Sequence, residues 1–194
     1  MGSGTALIIP LDAATDFETS RLGGKAVSLG RLIAAGYRVP NGFCISTDAY
    51  ENFINQSGLE QTIRMELERK PLASMRWEEI WDAALRIRSA FLAADIPDVL
   101  SEEIAGAYDR IGRPVVAVRS SAPGEDSEQR SHAGLHESLV GVKGKAALLD
   151  AVRIVWASLW SDAALLYRRE LEMDPASSRM AVVVQSFVTA TPSG

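Results

Sequence analysis

Short apolar runs alternate with longer stretches of helical periodicity along this chain, and that alternation limits the folds open to it. Two runs, Val115–Val118 and Met180–Val188, are dominated by apolar residues, as strands buried on both faces are. A third run, Phe43–Ile45, follows the turn signal Val39–Gly42. The sequence therefore predicts the α/β (α+β) class, with a mixed sheet and flanking helices.

The stretches between these runs carry apolar residues at spacings of three and four. Residues 59–110 show this pattern almost throughout, which predicts a helical insertion between two strands. The strongest helix is predicted after Lys143 and Gly144. Its apolar face consists of Leu148, Leu149, Val152, Val155, Trp156, Leu159 and Trp160.

Charge and composition argue against several classes of protein. The 194 residues carry a formal net charge of −5, whereas binders of nucleic acid or anionic membranes usually present a basic surface. No apolar run approaches the roughly 18–20 residues of a membrane span, and the N-terminus lacks a secretory signal, so we expect a cytoplasmic protein. The single cysteine, Cys44, lies in an apolar run and is expected to be a packed thiol.

The first candidate for chemistry is Gly23-Gly24-Lys25, placed before a helical pattern. Glycines let the backbone approach a ligand closely, and a helix N-terminus favours anions. The lysine adds a mobile positive charge suited to a phosphate. The spacing alone does not distinguish this site from a glycine turn followed by a solvated lysine.

The second candidate is Arg119, at the end of the Val115–Val118 run. Loops that follow strand ends commonly contact ligands in open α/β sheets, and the planar guanidinium matches phosphate oxygens. Ser120 and Ser121 would add hydroxyl groups. An ion pair of Arg119 with Glu125 or Asp126 in the loop is the alternative.

The third candidate is the segment Ser131–Ser138, where small residues around Gly134 could cover the phosphates of a nucleotide and Ser138 could donate a hydrogen bond. His132 and His136 are four apart but have no further partner with metal-ligand spacing, so a functional histidine is not expected.

The fourth candidate is the end of the last apolar run. Backbone groups of Gln185 and its neighbours could pair with an adenine edge, and Phe187 or Val188 could support the ring. An ordinary core strand is the alternative.

The order of these motifs resembles the N-terminal ATP-binding domain of the phosphoenolpyruvate synthase and pyruvate phosphate dikinase family, which includes rifampin phosphotransferases. The matches span residues 22–188 apart from the helical insertion, and together they are highly specific. They are Gly23–Leu32, Gly36–Phe43, Val116–Ala122 with Glu125 and Asp126, Ser131–Ser138, Val155–Trp160, Tyr167 with Arg168, and Met180–Gln185.

The resemblance implies an ATP-grasp fold in which two lobes hold ATP between them, with residues 1–194 as the first lobe. By motif position it implies that Lys25 and Arg119 bind ATP phosphates. It further implies that the Gly134–Ser138 loop covers those phosphates and that Gln185–Val188 line the adenine pocket.

The resemblance also implies an enzyme, a phosphotransferase of the pyruvate, water dikinase type. ATP would phosphorylate a histidine on a phosphohistidine domain of the same protein, and the phosphate would pass to pyruvate. Acidic residues of the second lobe would hold Mg²⁺. Because that lobe, the phosphohistidine domain and the acceptor domain are expected to lie outside residues 1–194, these residues alone are expected to be inactive.

Two further possibilities stay open at this point. The same chemistry could serve another small-molecule acceptor, such as an antibiotic, or the chain could be a nucleotide-binding or regulatory module without catalysis. The sequence also departs from the family, which usually has phenylalanine where His132 stands and glutamines where Leu135 and His136 stand. Contacts by those side chains are therefore not carried over.

Overall fold

A computed structural model describes residues 6–122 and 137–188, which form a sheet with helices on both sides. The strands are β1 (Ile8–Pro10), β2 (Gly42–Ile45), β3 (Val116–Ser121), β4 (Ser138–Val142) and β5 (Ala181–Ser186). The helices are α1 (Thr19–Ala34), α2 (Thr47–Gln56), α3 (Leu59–Glu68), α4 (Trp77–Ala93), α5 (Asp98–Arg110), α6 (Lys145–Ser158) and α7 (Asp162–Glu170). Short 3₁₀ helices occur at Leu11–Asp16, Leu72–Ser74 and Pro175–Ser177.

The sheet has the strand order β1-β2-β5-β3-β4, and each of its neighbouring pairs runs antiparallel. The predicted α/β class with flanking helices is confirmed, but the predicted mixed sheet is wrong for the described strands. The reason is that β5, the last strand in the chain, lies between β2 and β3. Strands β2 and β3 do run in the same direction, yet each hydrogen-bonds to β5 and not to the other.

Side chains alternate between the two faces of the sheet, and each face has its own apolar cluster. On one face, Val118 and Val184 pack with helices α2–α7 in the larger cluster. On the other, Cys44 and Val183 pack against α1 and the first 3₁₀ helix. This second side, called the α1 face below, has the thinner cover. None of the helices within the described residues has the length and apolar character needed to cross a membrane.

The Val155–Trp160 segment at the end of α6 connects the helical layer to the sheet. The Trp156 indole N–H donates to the carbonyl oxygen of Met180 (3.2 Å), just before β5, and the Trp160 indole N–H donates to the Tyr50 hydroxyl (2.9 Å). Trp156 also stacks on Phe53, with ring centroids 5.0 Å apart. The tryptophans are therefore core residues that hold β5 in register with the helices.

The stretch 59–110 contains α3, α4 and α5, and Glu79 fixes the start of α4. Its carboxylate accepts a hydrogen bond from the backbone N–H of Arg76 (2.6 Å), the residue before the helix, and another from the Lys70 ammonium (2.9 Å). The Arg76 bond and then the Lys70 bond lower the pKa of Glu79 from 4.5 to about 2.

This lowered pKa predicts a pH-dependent contribution of Glu79 to stability. A carboxylate with a depressed folded-state pKa stabilises the fold above its unfolded pKa, near 4.5, and loses that effect as the pH falls towards 2. Glu79→Gln should therefore lower the urea midpoint at pH 7 and lower it less at pH 3. Glu78→Gln, on the same helical turn, is the matched control. A Glu79→Gln deficit that is the same at both pH values would contradict this assignment.

Candidate functional site

Helix α1 is broken at Gly23, and the break determines where Lys25 lies. The helix begins at Thr19, four residues before the glycine pair that was expected to precede it, but Gly23 has φ 72° and ψ 167°, which are not helical angles. A second helical segment therefore starts at the glycine pair, and Lys25 lies in its first turn. The first amides of a helical segment have no carbonyl partners within that segment, which makes such a turn a favourable place for an anion.

The break is held against strand β3 by Ser121. The Ser121 hydroxyl donates to the carbonyl oxygen of Leu22 (2.8 Å) and accepts from the backbone N–H of Ala26 (3.3 Å), so it binds both sides of the break. Gly23 lies so close to Ser121 that a Cβ on Gly23 would collide with the Ser121 carbonyl group. The turn that carries Lys25 is thus docked on the last residue of β3.

Arg119 is two residues before Ser121 and therefore lies on the same face of the sheet. Val116 and Val118 belong to the cluster on the opposite side of the sheet, so the residues that alternate with them, Arg119 and Ser121 among them, face α1. The Arg119 side chain is half-buried. Alternate residues on a strand are about 7 Å apart, so the Cα atom of Arg119 lies about 7 Å from that of Ser121, on which the Lys25 turn is docked.

Strand β4 brings Ser138 to the same place. Ser138 is the direct partner of Arg119 in the antiparallel register, and residues in such a pair share a face. The register shifts between Val116 and Val118, where two residues of β4, Val140 and Gly141, oppose the single residue Ala117 of β3. Gly141 takes the positive φ of 77° within this bulge. Ser138 is exposed, so its hydroxyl is accessible.

The start of β4 is fixed from the helical side. The backbone N–H of Glu137 donates to the Ser158 hydroxyl (3.1 Å), and that hydroxyl donates to the carbonyl oxygen of Val155 (2.7 Å). Ser158 is buried in α6. Its role was not predicted from the sequence, because only the fold brings residues 137 and 158 together.

Strand β5 places Gln185 further along the α1 face. Gln185 pairs with Ala117 on one side and Gly42 on the other, while Val183 is the partner of Arg119. The Gln185 side-chain amide donates to the carbonyl oxygen of Pro40 (3.1 Å), so the side chain ties the loop before β2 to β5. The Gln185 side-chain amide is therefore engaged within the fold, and the strand around it is paired on both sides.

The two residues after β5 are apolar and exposed. The backbone N–H of Phe187 donates to the carbonyl oxygen of Val115 (2.8 Å), which continues the pairing with β3. The Phe187 residue is 43% exposed and Val188 is 66% exposed. Arg119 pairs with Val183, and Phe187 follows Val183 by four residues, which places it about 13 Å further along the strand direction. The site thus has cations at one end and apolar groups at the other.

Some predicted residues cannot be placed, and one expectation is corrected. Gly134, with His132 and His136, lies outside the described residues. Ser120 and Ser121 were expected to add hydroxyls to the site, but both are buried. The Ser121 hydroxyl is occupied by the α1 backbone, because the helix break packs directly over it.

Neither Cys44 nor a metal-binding group adds to the candidate site within the described ranges. Cys44 is fully buried, and burial raises the pKa of its thiol, as expected for a packed cysteine. Across residues 6–122 and 137–188, no three His, Cys, Asp or Glu side chains are grouped so as to hold a metal ion.

A comparison with known protein families then decides the classification. Residues 19–194 match the family described as pyruvate phosphate dikinase, AMP/ATP-binding domain. The chain belongs to this family. A domain of the pyruvate phosphate dikinase family that binds AMP or ATP accords with a site that is cationic at one end and apolar at the other.

Individual relatives are similar over nearly all of this chain. A phosphoenolpyruvate synthase of Aeropyrum pernix is 40% identical over 194 residues, covering 97% of this chain and 24% of the relative. A rifampicin phosphotransferase of Streptomyces sviceus is 37% identical over 189 residues, covering 96% of this chain and 22% of the relative. The chain therefore spans about a quarter of the length of these members of the pyruvate phosphate dikinase family.

Proposed function

We propose that this chain binds ATP on the α1 face of its sheet, with the phosphates beside Lys25, Arg119 and Ser138. The observation that carries the proposal is the docking of the Lys25 turn on Ser121, two residues from Arg119. Two cations on one face can neutralise a polyphosphate, and the arginine fork can bind two of its oxygens at once. Ser138 adds a hydroxyl donor opposite Arg119.

The base would lie towards the end of β5. Phe187 and Val188 offer exposed apolar surface to a purine ring, and the backbone near Gln185 offers groups for its edge. Gly134 would contribute to a loop over the phosphates. Magnesium accompanies ATP in phosphoryl transfer. The described residues have no cluster suited to hold it, so none of them is assigned as a magnesium ligand.

The reaction proposed for the whole protein is dikinase-type phosphoryl transfer. ATP and water would give AMP and orthophosphate, while the β-phosphoryl group passes to a histidine nitrogen on another domain of the protein. Pyruvate, losing a methyl proton, would then take that phosphoryl group on its enol oxygen, which gives phosphoenolpyruvate and frees the histidine. Lys25 and Arg119 would hold the transferred groups and stabilise the charge that develops on them. The relative named phosphoenolpyruvate synthase supports this acceptor, and the relative named rifampicin phosphotransferase supports an antibiotic as the second candidate.

The proposed reaction is tested by phosphoenzyme formation in the complete natural protein that contains this chain. ATP labelled at both the β and γ phosphates should transfer label to a histidine, giving an acid-labile and base-stable product. Addition of pyruvate should discharge the label into a small molecule, and rifampicin should not. Discharge by rifampicin alone would favour the second acceptor, and no phosphoenzyme at all would contradict the reaction.

A further inference from the structure

We infer that Ser121 is a positioning residue for ATP, which sets the distance between the Lys25 turn and Arg119. The inference rests on the proposed ATP site and goes further, because Ser121 itself contacts no ligand. Its hydroxyl is fully buried and makes two hydrogen bonds to the backbone of α1.

The two hydrogen bonds lie on either side of the helix break. Leu22 precedes Gly23 and Ala26 follows Lys25, so the hydroxyl bridges the residues of the break. A helix broken at this point can change the angle between its two segments. With the hydroxyl in place, the first turn of the second segment is tied to β3 at both ends.

Strand β3 provides a fixed base for this link. It pairs with β4 on one side and with β5 on the other, and Val116 and Val118 are buried under the helical layer. Loss of the link should therefore move the Lys25 turn and leave Arg119 in place. Phosphate binding that needs both cations at a set distance would weaken through Lys25.

Ser120 is a matched control on the same strand. It is also buried, but it precedes Ser121 by one residue and faces the other side, opposite Val182 of the larger cluster. Ser120→Ala removes an equivalent hydroxyl group from the same strand and leaves the hydrogen bonds between Ser121 and α1 in place. A general effect of weakening β3 would therefore appear in both variants.

The test is isothermal titration of magnesium-ATP into the complete natural protein, with unfolding midpoints measured in parallel. Ser121→Ala should weaken ATP binding about tenfold, the size expected when one charge-assisted contact is lost. Ser120→Ala should stay within about twofold of wild type. If the alanine variant does not fold, Ser121→Cys keeps the side-chain size with a much weaker donor and should show the same direction of change.

A double-mutant cycle separates positioning from a purely structural role. If Ser121 acts through Lys25, the double variant Ser121→Ala/Lys25→Ala should bind ATP less than about twofold more weakly than Lys25→Ala alone. Effects that multiply in the double variant, or wild-type affinity in Ser121→Ala, would overturn the inference. Wild-type affinity in both Lys25→Ala and Arg119→Ala would instead refute the ATP site itself, so the two failures are distinguishable.

Discussion

Gly23→Ala is expected to prevent stable folding or to reduce the free energy of unfolding by more than about 4 kcal/mol. Two effects combine at this position. The backbone adopts φ 72°, which is unfavourable for a residue with a Cβ, and that Cβ would collide with the backbone of Ser121. The backbone of a central strand cannot move aside as a flexible side chain could, so the helix break and β3 would have to separate.

Gly36→Ala is the matched control for this prediction. Gly36 also has a positive φ, 81°, but nothing lies within 4 Å of the position its Cβ would take. Gly36→Ala should therefore lower the free energy of unfolding only by the cost of a positive φ for a residue with a Cβ, about 1 kcal/mol. Urea unfolding of both variants gives the comparison. Similar losses in the two variants would show that the contact with Ser121 does not matter.

Trp156→Ala is expected to have the second largest effect, a loss of about 3–5 kcal/mol in the free energy of unfolding. Trp156 is fully buried, stacks on Phe53 and meets Tyr50 edge-on, with ring centroids 5.9 Å apart. Its removal would leave a cavity in the larger of the two apolar clusters that the described residues form. It would also leave the carbonyl oxygen of Met180 without its indole donor.

Trp77 provides the control for Trp156, since the same substitution there removes a ring that is 57% exposed at the start of α4. Trp77→Ala should change the free energy of unfolding by no more than about 0.5 kcal/mol. Guanidinium unfolding followed by circular dichroism measures both. Comparable losses in the two variants would contradict the assignment of Trp156 to the core.

Much of the fold follows from local sequence patterns. The Val115–Val118 run is apolar because β3 is covered on both faces, and residues 59–110 are periodic because α3–α5 bury one side each. The arrangement of the strands was harder to predict. The position of β5 between β2 and β3 depends on which strands pair, and an apolar run carries no information about its neighbours.

The sequence nominates residues for the candidate site but does not give its geometry. Gly23, Lys25 and Arg119 stand out by type and by position relative to helix and strand patterns. The link through Ser121 joins residues 99 positions apart in the chain, and no local pattern indicates such a contact. The same holds for Ser138, which lies opposite Arg119 only because the bulge at Gly141 sets the register of β4.

The aromatic segment around Trp156 serves the fold and not a ligand. Aromatic residues in a recognisable motif invite a ligand-binding interpretation, yet Trp156, Ser158 and Trp160 each hold a neighbouring element in place. Between them they anchor β4, β5 and α2. The candidate site depends on this layer indirectly, because Ser138 begins β4 and Gln185 lies near the end of β5.

The affinity for ATP of variants that lack one cation tests the proposed site most directly. In the complete natural protein that contains this chain, titration of magnesium-ATP should show binding at least about tenfold weaker in Lys25→Ala and in Arg119→Ala. Lys145→Ala is the matched control, since Lys145 also follows a glycine at a helix start but belongs to α6 on the other face of the sheet. It should bind ATP like the wild type, and unchanged affinity in both Lys25→Ala and Arg119→Ala would contradict the account.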